Sequence, residues 1–151
     1  MMTRLALGAL LVGLSASAAV AEWKSWPISA DNPLVAAGFK HDDGGTLLVI
    51  CNRKTKLMSI AVEEPRAHWE PKTPIEVTTR ADTGESNGPS HGFVIAPTRL
   101  VVEEQSTWDI NTMSHAKAFF AMGAGGYARI YPVEGFREMV EPILMACGDH
   151  F

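Results

Sequence analysis

The sequence predicts a mainly β domain, built as a small antiparallel β-sandwich or curved sheet with two short C-terminal helices. Stretches of alternating apolar and polar residues recur along the chain, which is the pattern of half-buried strands. Compact polar turns separate several of these stretches, as they do in β-hairpins. Apolar residues at helical spacing follow late in the chain. An α+β sheet with both helices on one face is the alternative.

Residues 1–21 have the features of a secretory signal peptide. Arg4 precedes a short apolar core from Leu5 to Leu14, and small residues then end in Ala19-Val20-Ala21, a typical cleavage pattern. The apolar core is shorter than the roughly 20 residues that a membrane helix needs. We therefore expect cleavage and a single periplasmic or secreted domain, residues 22–151, without a membrane span. An uncleaved N-terminal anchor is the alternative.

The charge of the chain argues against nucleic acid as a partner. The 13 Lys and Arg residues are outnumbered by 17 Asp and Glu residues, which gives a net charge of −4. Basic residues are dispersed except in Arg53-Lys54-Thr55-Lys56, which we interpret as a solvated turn. A nucleic-acid-binding domain needs a concentrated basic face, and no segment of this sequence supplies one.

Two cysteines, Cys51 and Cys147, predict one disulfide in an exported chain. A loop of this length contributes roughly 4–5 kcal/mol in the chain-entropy model, against a total stability of about 5–15 kcal/mol. Two buried free thiols and a redox-active pair are the alternatives. No C-x-x-C motif is present to support the redox interpretation.

The first half of the chain predicts a hairpin at the centre of the sheet. Thr46–Cys51 is apolar on both faces, as expected for a strand that is buried on both sides. A polar turn follows, and the alternating residues 56–62 predict an antiparallel partner. Residues 22–32 predict an entry strand that packs its tryptophans on the domain, whereas residues 34–40 are ambiguous.

Three further stretches continue the sheet. Residues 74–80 alternate, residues 91–96 and 99–105 predict a hairpin about Pro97-Thr98, and residues 127–133 alternate again. The intervening segments 65–74 and 81–90 are rich in turn-forming residues and predict loops.

The first predicted helix is capped by Asp109 or Asn111, runs to Met122 and is stopped by glycines at 123–126.

The second predicted helix follows Gly135 and carries an apolar stripe. It contains Pro142, which predicts a kink or two short turns. The stripe consists of Phe136, Met139, Val140, Ile143, Leu144 and Cys147. Because it ends at Cys147, we expect this helix to be clamped to the Thr46–Cys51 strand.

Residues with catalytic or metal-binding chemistry do not show the spacing of a known site. The five histidines are scattered singly and predict no metal site; they are His41, His68, His91, His115 and His150. Ser90, His91 and Asp82 are the alternative set for a small hydrolase, but no G-x-S-x-G motif surrounds the serine. Asp82-Thr83-Gly84 matches the aspartic-protease triplet only by letters. We predict no catalytic residue and no cofactor.

Binding by a surface is the remaining possibility. Trp69 and Trp108 lie near predicted loops and are candidate partner-binding residues, although partial burial against the core is the usual fate of tryptophan. We expect the binding surface in the loops 65–74 and 81–90.

The layout of the chain resembles that of the small exported proteins of the invasion-associated locus B type. The resemblance rests on Leu48-x-Ile50-Cys51 and on Gly135-Phe136 followed by Val140, Ile143 and Cys147 at fixed spacing. It implies a β-sandwich-like domain, a helix after the Gly-Phe pair and a terminal cysteine bonded to the sheet. The chain departs from the pattern because no cysteine lies directly after the Trp23–Trp26 region and because two cysteines allow none of the extra disulfides often seen in such proteins.

Together these features favour a non-enzymatic, exported accessory or binding protein whose partner is an envelope or extracellular protein. The hydrolase with Ser90, His91 and Asp82, or a metal-assisted variant, is one alternative. A self-associating structural protein of the cell envelope is the other.

Overall fold

A computed structural model describes residues 21–26 and 28–151 of the chain. The predicted signal peptide therefore lies outside the described residues, apart from Ala21. Within the described part, no helix has the length and apolar character needed to cross a membrane.

The described residues form one antiparallel sheet of nine strands and two helices. The strands are β1 (Lys24–Ser25), β2 (Leu34–Lys40), β3 (Thr46–Asn52), β4 (Leu57–Glu63), β5 (Pro74–Ala81), β6 (Ser90–Ala96), β7 (Arg99–Val102), β8 (Phe119–Ala124) and β9 (Tyr127–Pro132). The helices are α1 (Ser106–Ser114) and α2 (Phe136–Ala146). The strand order is β1-β2-β3-β4-β7-β6-β5-β8-β9, and the sheet curls into a half-barrel. The mainly β prediction is confirmed in its curved-sheet form, with 42% strand against 15% helix.

The two predicted hairpins form as expected. β3 and β4 pair from Thr46 opposite Glu63 to Asn52 opposite Leu57. The Asn52 side chain accepts hydrogen bonds from the backbone N–H groups of Lys54 and Thr55, which stabilises the turn between the strands. β6 and β7 pair about the two-residue turn Pro97-Thr98, with a register shift between Val94 and Ala96.

The N-terminal strands differ from the prediction. The entry strand is reduced to the two residues of β1, whereas the ambiguous residues 34–40 form β2, which pairs with β3 over its whole length. The small residues of β2 made its alternation hard to recognise. Tertiary pairing with the apolar β3 determines that it is a strand.

The predicted first helix is wrong in both its limits. α1 begins at Ser106 and ends at Ser114, so Asp109 lies inside the helix and is buried, and does not cap it. Residues 119–124 form β8, and Gly125 and Gly126, both with positive φ, make the turn to β9. β8 has apolar residues on both faces, so its sequence does not alternate between apolar and polar residues. The same residues fit the spacing of an apolar helical stripe.

The second helix is continuous from Phe136 to Ala146, so Pro142 does not divide it into two short turns. Pro142 is exposed on the solvent side of α2, where the carbonyl group of Glu138 can bond to water in place of the missing N–H. The opposite side buries the predicted stripe, including Phe136, Val140 and Leu144. Cys147 at the end of α2 is bonded to the buried Cys51 of β3, as predicted (S–S 2.05 Å).

An aromatic cluster fills the concave face, where the two edges of the curled sheet approach each other. Trp23, next to β1, packs against Phe39, Phe120, Tyr131 and Phe136, with ring centroids between 4.9 and 6.4 Å apart. Its indole N–H donates a hydrogen bond of 2.7 Å to the carbonyl oxygen of Pro132 at the end of β9. We call this approach of β9 to β1 and β2 the seam. Side chains, and not a β-ladder, close it.

Replacing Cys147 by Ser tests the clamp. The disulfide closes a loop with a sequence separation of 96 residues, which predicts a loss of about 4–5 kcal/mol without it in the chain-entropy model. We expect Cys147→Ser to lower the free energy of unfolding strongly under oxidising conditions, measured by urea unfolding. Reductant should lower the stability of the wild type to about that of the variant and leave the variant unchanged. Equal wild-type stability with and without reductant would contradict the prediction.

Candidate functional site

The structure does not bring the candidate hydrolase residues together. Ser90 is fully buried, and its hydroxyl donates to the carbonyl oxygen of Val77 (3.2 Å). His91, the next residue of β6, is exposed on the opposite face of the sheet.

Asp82 accepts hydrogen bonds from the backbone N–H groups of Lys117 (2.8 Å) and Ala118 (2.9 Å). These bonds lower the pKa of Asp82, and its carboxylate serves to hold a loop.

The histidines are as dispersed in space as they are in sequence. Within the described ranges, no group of three or more His, Cys, Asp or Glu side chains is arranged to hold a metal ion. Nδ1 of His115 lies 2.8 Å from a carboxylate oxygen of Glu85, and His68, His91 and His150 are exposed. His41 is half-buried beside Tyr131, with ring centroids 5.1 Å apart. Burial and the nearby Arg129 lower its pKa, which favours the neutral form.

The two candidate tryptophans have different environments. Trp69 is 9% exposed and packs against Tyr127 with ring centroids 6.1 Å apart, so it belongs to the core and is not an exposed anchor. Its backbone N–H donates to the carbonyl oxygen of Pro97, which fixes the 65–74 connection to the sheet. Trp108 on α1 is 57% exposed.

A network of ion pairs centred on Arg129 ties β9 to the β2–β3 turn at the seam and to the end of β4; its Glu64 and Arg129 are buried, whereas Asp43 and Arg66 are about half exposed. Arg129 of β9 donates to Glu64, which follows β4, through Nε (2.7 Å) and Nη2 (3.0 Å). The same guanidinium reaches Asp43 in the β2–β3 turn (2.8 Å). Arg66 donates from Nε and Nη2 to the other side of the Glu64 carboxylate (2.8 and 2.9 Å). The Glu64 side chain is only 3% exposed and that of Arg129 10%.

The pKa values reflect this pairing. Hydrogen bonds from Arg66 and Arg129 outweigh the effect of burial and lower the pKa of Glu64 to about 2. The pairing with Glu64 raises the pKa of Arg129, and burial raises that of Tyr131. At neutral pH the charges are fixed and paired, which suits a structural closure of the seam. A general acid or base needs a pKa near the working pH.

The interior of the curled sheet is filled by side chains. The cavity beside the ion-pair network is lined by apolar residues and by Glu64, Trp69 and Arg129, and holds about 20 Å³. This is room for roughly one water molecule. The interior beside the network is therefore closely packed, and this cavity has no room for a larger ligand.

The convex side of the sheet is unusually apolar. Leu48, Ala61, Val101 and Phe93 are direct cross-strand neighbours on β3, β4, β7 and β6, and form a row across the sheet. Ile50 lies two residues beyond Leu48 on the same face, and Ile95 lies beyond Phe93. We call these six residues the outer patch. Phe93 is 47% and Ile95 49% exposed, and the other four are half-buried.

Sequence reasoning missed both features for identifiable reasons. Glu64 and Arg129 are 65 residues apart, and neither has a sequence signal that indicates pairing. The outer patch had a signal, because residues 92–95 are uncharged and mostly apolar on both faces of the strand. Buried and exposed residues alternate along β6, and only the topology of the sheet shows which of its two apolar faces is open.

Comparison with models of protein families, with curated proteins and with solved structures found no match to this chain.

Replacing Glu64 by Gln tests the seam network. Removing one member of a buried ion pair typically costs about 3–5 kcal/mol, and we expect a loss of this order in urea unfolding at pH 7. The control is Glu76→Gln, because Glu76 is exposed on β5; its effect should stay within about 0.5 kcal/mol.

The same variant should change the acid response. A folded-state pKa of about 2 against an ordinary value of 4.5 means that the unfolded chain binds the proton first. The stabilising contribution of Glu64 is complete above about pH 4.5 and is lost as the pH falls towards 2. We expect Glu64→Gln to show a smaller loss of stability than the wild type between pH 5 and pH 2. Parallel pH profiles would contradict this assignment.

Proposed function

We propose that this chain is an exported, non-enzymatic binding protein that contacts another protein of the cell envelope or exterior through the outer patch. The observation that carries the proposal is the continuous apolar row across four strands of the convex face. An antiparallel sheet with one solvated face normally carries polar residues on that face. A contiguous apolar surface rimmed by polar groups is typical of a protein interaction site.

The exposed side chains supply enough apolar area to contribute to binding. Phe93 and Ile95 are each about half exposed, which corresponds to roughly 80–100 Å² for each side chain. At about 25 cal/mol per Å², covering each contributes on the order of 2 kcal/mol before the costs of association. Two such side chains at the centre of an interface have the character of binding hot spots.

The polar groups of the molecule support a surface function over a catalytic one. The ion-pair network at the seam is internally paired, and the hydroxyl group of Ser90 donates to the backbone carbonyl of Val77, its cross-strand neighbour on β5. A hydrolase needs a nucleophile within about 3 Å of its base. The opposite orientations of Ser90 and His91 along β6 do not meet this requirement.

Export is part of the same proposal. It is supported by the signal-like residues 1–21 and by the disulfide between Cys51 and Cys147, which is the form expected in an oxidising compartment. The resemblance to small exported proteins of the invasion-associated locus B type is consistent with it, and we retain that relationship as a proposal.

Charge placed on the outer patch should abolish binding without unfolding the protein. We expect Phe93→Asp/Ile95→Asp to lose a partner that immobilised wild-type protein retains from envelope extract. The matched control is Ile130→Asp on β9, because Ile130 is 60% exposed outside the patch. The partner is then purified, and its affinity for each variant is measured. We expect at least a tenfold loss for the patch variant and little change for the control.

Circular dichroism and urea unfolding should show that both variants remain folded. A partner that binds the patch variant as well as the wild type would contradict the proposal. Loss of a concentration-dependent dimer in the patch variant, seen by light scattering, would instead identify a second copy as the partner.

Expression of the full chain in a Gram-negative host with intact secretion tests export. We expect the mass of the mature protein to correspond to residues 22–151 with the cysteines oxidised. Recovery of the uncleaved chain from the cytoplasm would contradict the prediction.

A further inference from the structure

A groove at one end of the convex face is built differently from the rest of the outer patch. It lies between Trp26 and the side chains of Lys40 and Arg99. The residues that line it between these ends are Gly44, Thr46, Leu48, Ala61, Val62 and Glu63. Its volume is about 430 Å³, within the range of roughly 300–1,000 Å³ that is typical of ligand pockets. The groove therefore has room for one large side chain of a partner, in contrast to the packed interior.

A glycine shapes the end of this groove next to β1. Gly38 of β2 lies opposite Leu48, and a Cβ atom at Gly38 would collide with the Leu48 side chain and lie 3.4 Å from the ring of Trp26. The absence of a side chain at Gly38 therefore allows Trp26 and Leu48 to approach each other above the backbone. Trp26 is held in place by its backbone N–H, which donates to the carbonyl oxygen of Ala36 (2.9 Å).

The groove carries charges of both signs, and two lysines lie in it or beside it. Lys24 lies opposite Gly38 and shares its face, and Lys40 is two residues along β2 on the same face. Both lysines are exposed, and neither forms an ion pair with another described residue. Arg99, by contrast, is paired with Glu63 (2.7 Å). The groove thus combines apolar lining residues and an internally paired Glu63–Arg99 with the ammonium groups of Lys40 in its lining and Lys24 beside it.

We propose that this groove binds an acidic–apolar segment of the partner protein, in which an aromatic or large aliphatic side chain is flanked by carboxylates. This inference rests on the proposed function and names the chemistry of the segment that is recognised. The apolar side chain packs against Trp26 and Leu48, where an aromatic pair contributes beyond its buried area. The flanking carboxylates accept charge-assisted hydrogen bonds from Lys24 and Lys40.

Three synthetic peptides test the recognition. The probe is acetyl-Glu-Asp-Phe-Asp-Glu-amide, and the controls are the isosteric acetyl-Gln-Asn-Phe-Asn-Gln-amide and the basic acetyl-Lys-Lys-Phe-Lys-Lys-amide. Binding is followed by the NMR signal of the Trp26 indole N–H, assigned with Trp26→Phe. We expect saturable shifts with the acidic peptide, at least threefold weaker binding of the neutral peptide and none of the basic one. The preference for the acidic peptide should shrink as salt is raised.

A matched pair of charge reversals locates the site. Lys40→Glu should weaken binding of the acidic peptide about three- to tenfold, consistent with the loss of one exposed ion pair and added repulsion. Lys54→Glu makes the same change in charge at the opposite end of the β3–β4 hairpin, where Lys54 is exposed, and should leave binding unchanged. Trp26→Ala should remove binding of every peptide that the wild type binds.

Absence of saturable shifts, equal binding of the acidic and neutral peptides, or equal effects of Lys40→Glu and Lys54→Glu would overturn the inference. The purified partner separates this failure from failure of the proposed function. If Phe93→Asp/Ile95→Asp loses the partner while Lys40→Glu and Trp26→Ala retain it, the outer patch is the binding surface and the groove is not. If all of these variants retain the partner, both proposals are wrong.

Discussion

Closure of the seam is the constraint on which the rest of the structure depends. The two edges of the nine-stranded sheet meet without a shared ladder of backbone hydrogen bonds, so side chains must hold them together. Arg129 does this from β9 by binding Glu64 and Asp43, and Trp23 does it from the other edge through Pro132. Buried charges are expensive unless they are fully paired. That requirement explains why Glu64 binds a second arginine, Arg66, and why the pKa of the Glu64 carboxyl is low.

The closed seam and the disulfide clamp together leave the convex face as the surface that we propose for partner binding. With the edges held, the concave face is filled by the aromatic cluster and by α2, which Cys147 ties to β3. Close packing leaves space for roughly one water molecule beside the network. On the convex face the outer patch exposes apolar area, and Lys40 in the groove beside Trp26 forms no ion pair with another described residue. The proposed binding surface therefore lies on the face of these strands opposite the core.

Particular residues show how far prediction of the site could reach. Ser90 and His91 are candidate hydrolase residues because they are neighbours in sequence. Neighbouring residues of a strand point to opposite faces, and here Ser90 is buried and His91 is exposed. Trp69 is a candidate partner-binding residue because it lies in a predicted loop, but that loop folds back on the sheet and buries its side chain. Phe93 and Ile95 lie in a correctly predicted strand. Only the tertiary structure shows that their face of the strand is exposed and that Val94 points to the covered face.

The sequence by itself determined the mainly β class, the two hairpins, the stripe of α2 and the pairing of Cys51 with Cys147, because each depends on local periodicity, turn chemistry or the cysteine count. The tertiary structure alone decided that residues 119–124 form a strand, since their apolar residues fit either structure until β5 and β9 pair with them. It also decided the pairing of Glu64 with Arg129 and the exposure of the outer patch. These depend on the strand order and on the direction in which the sheet curls, which are long-range properties that no local pattern in the chain encodes.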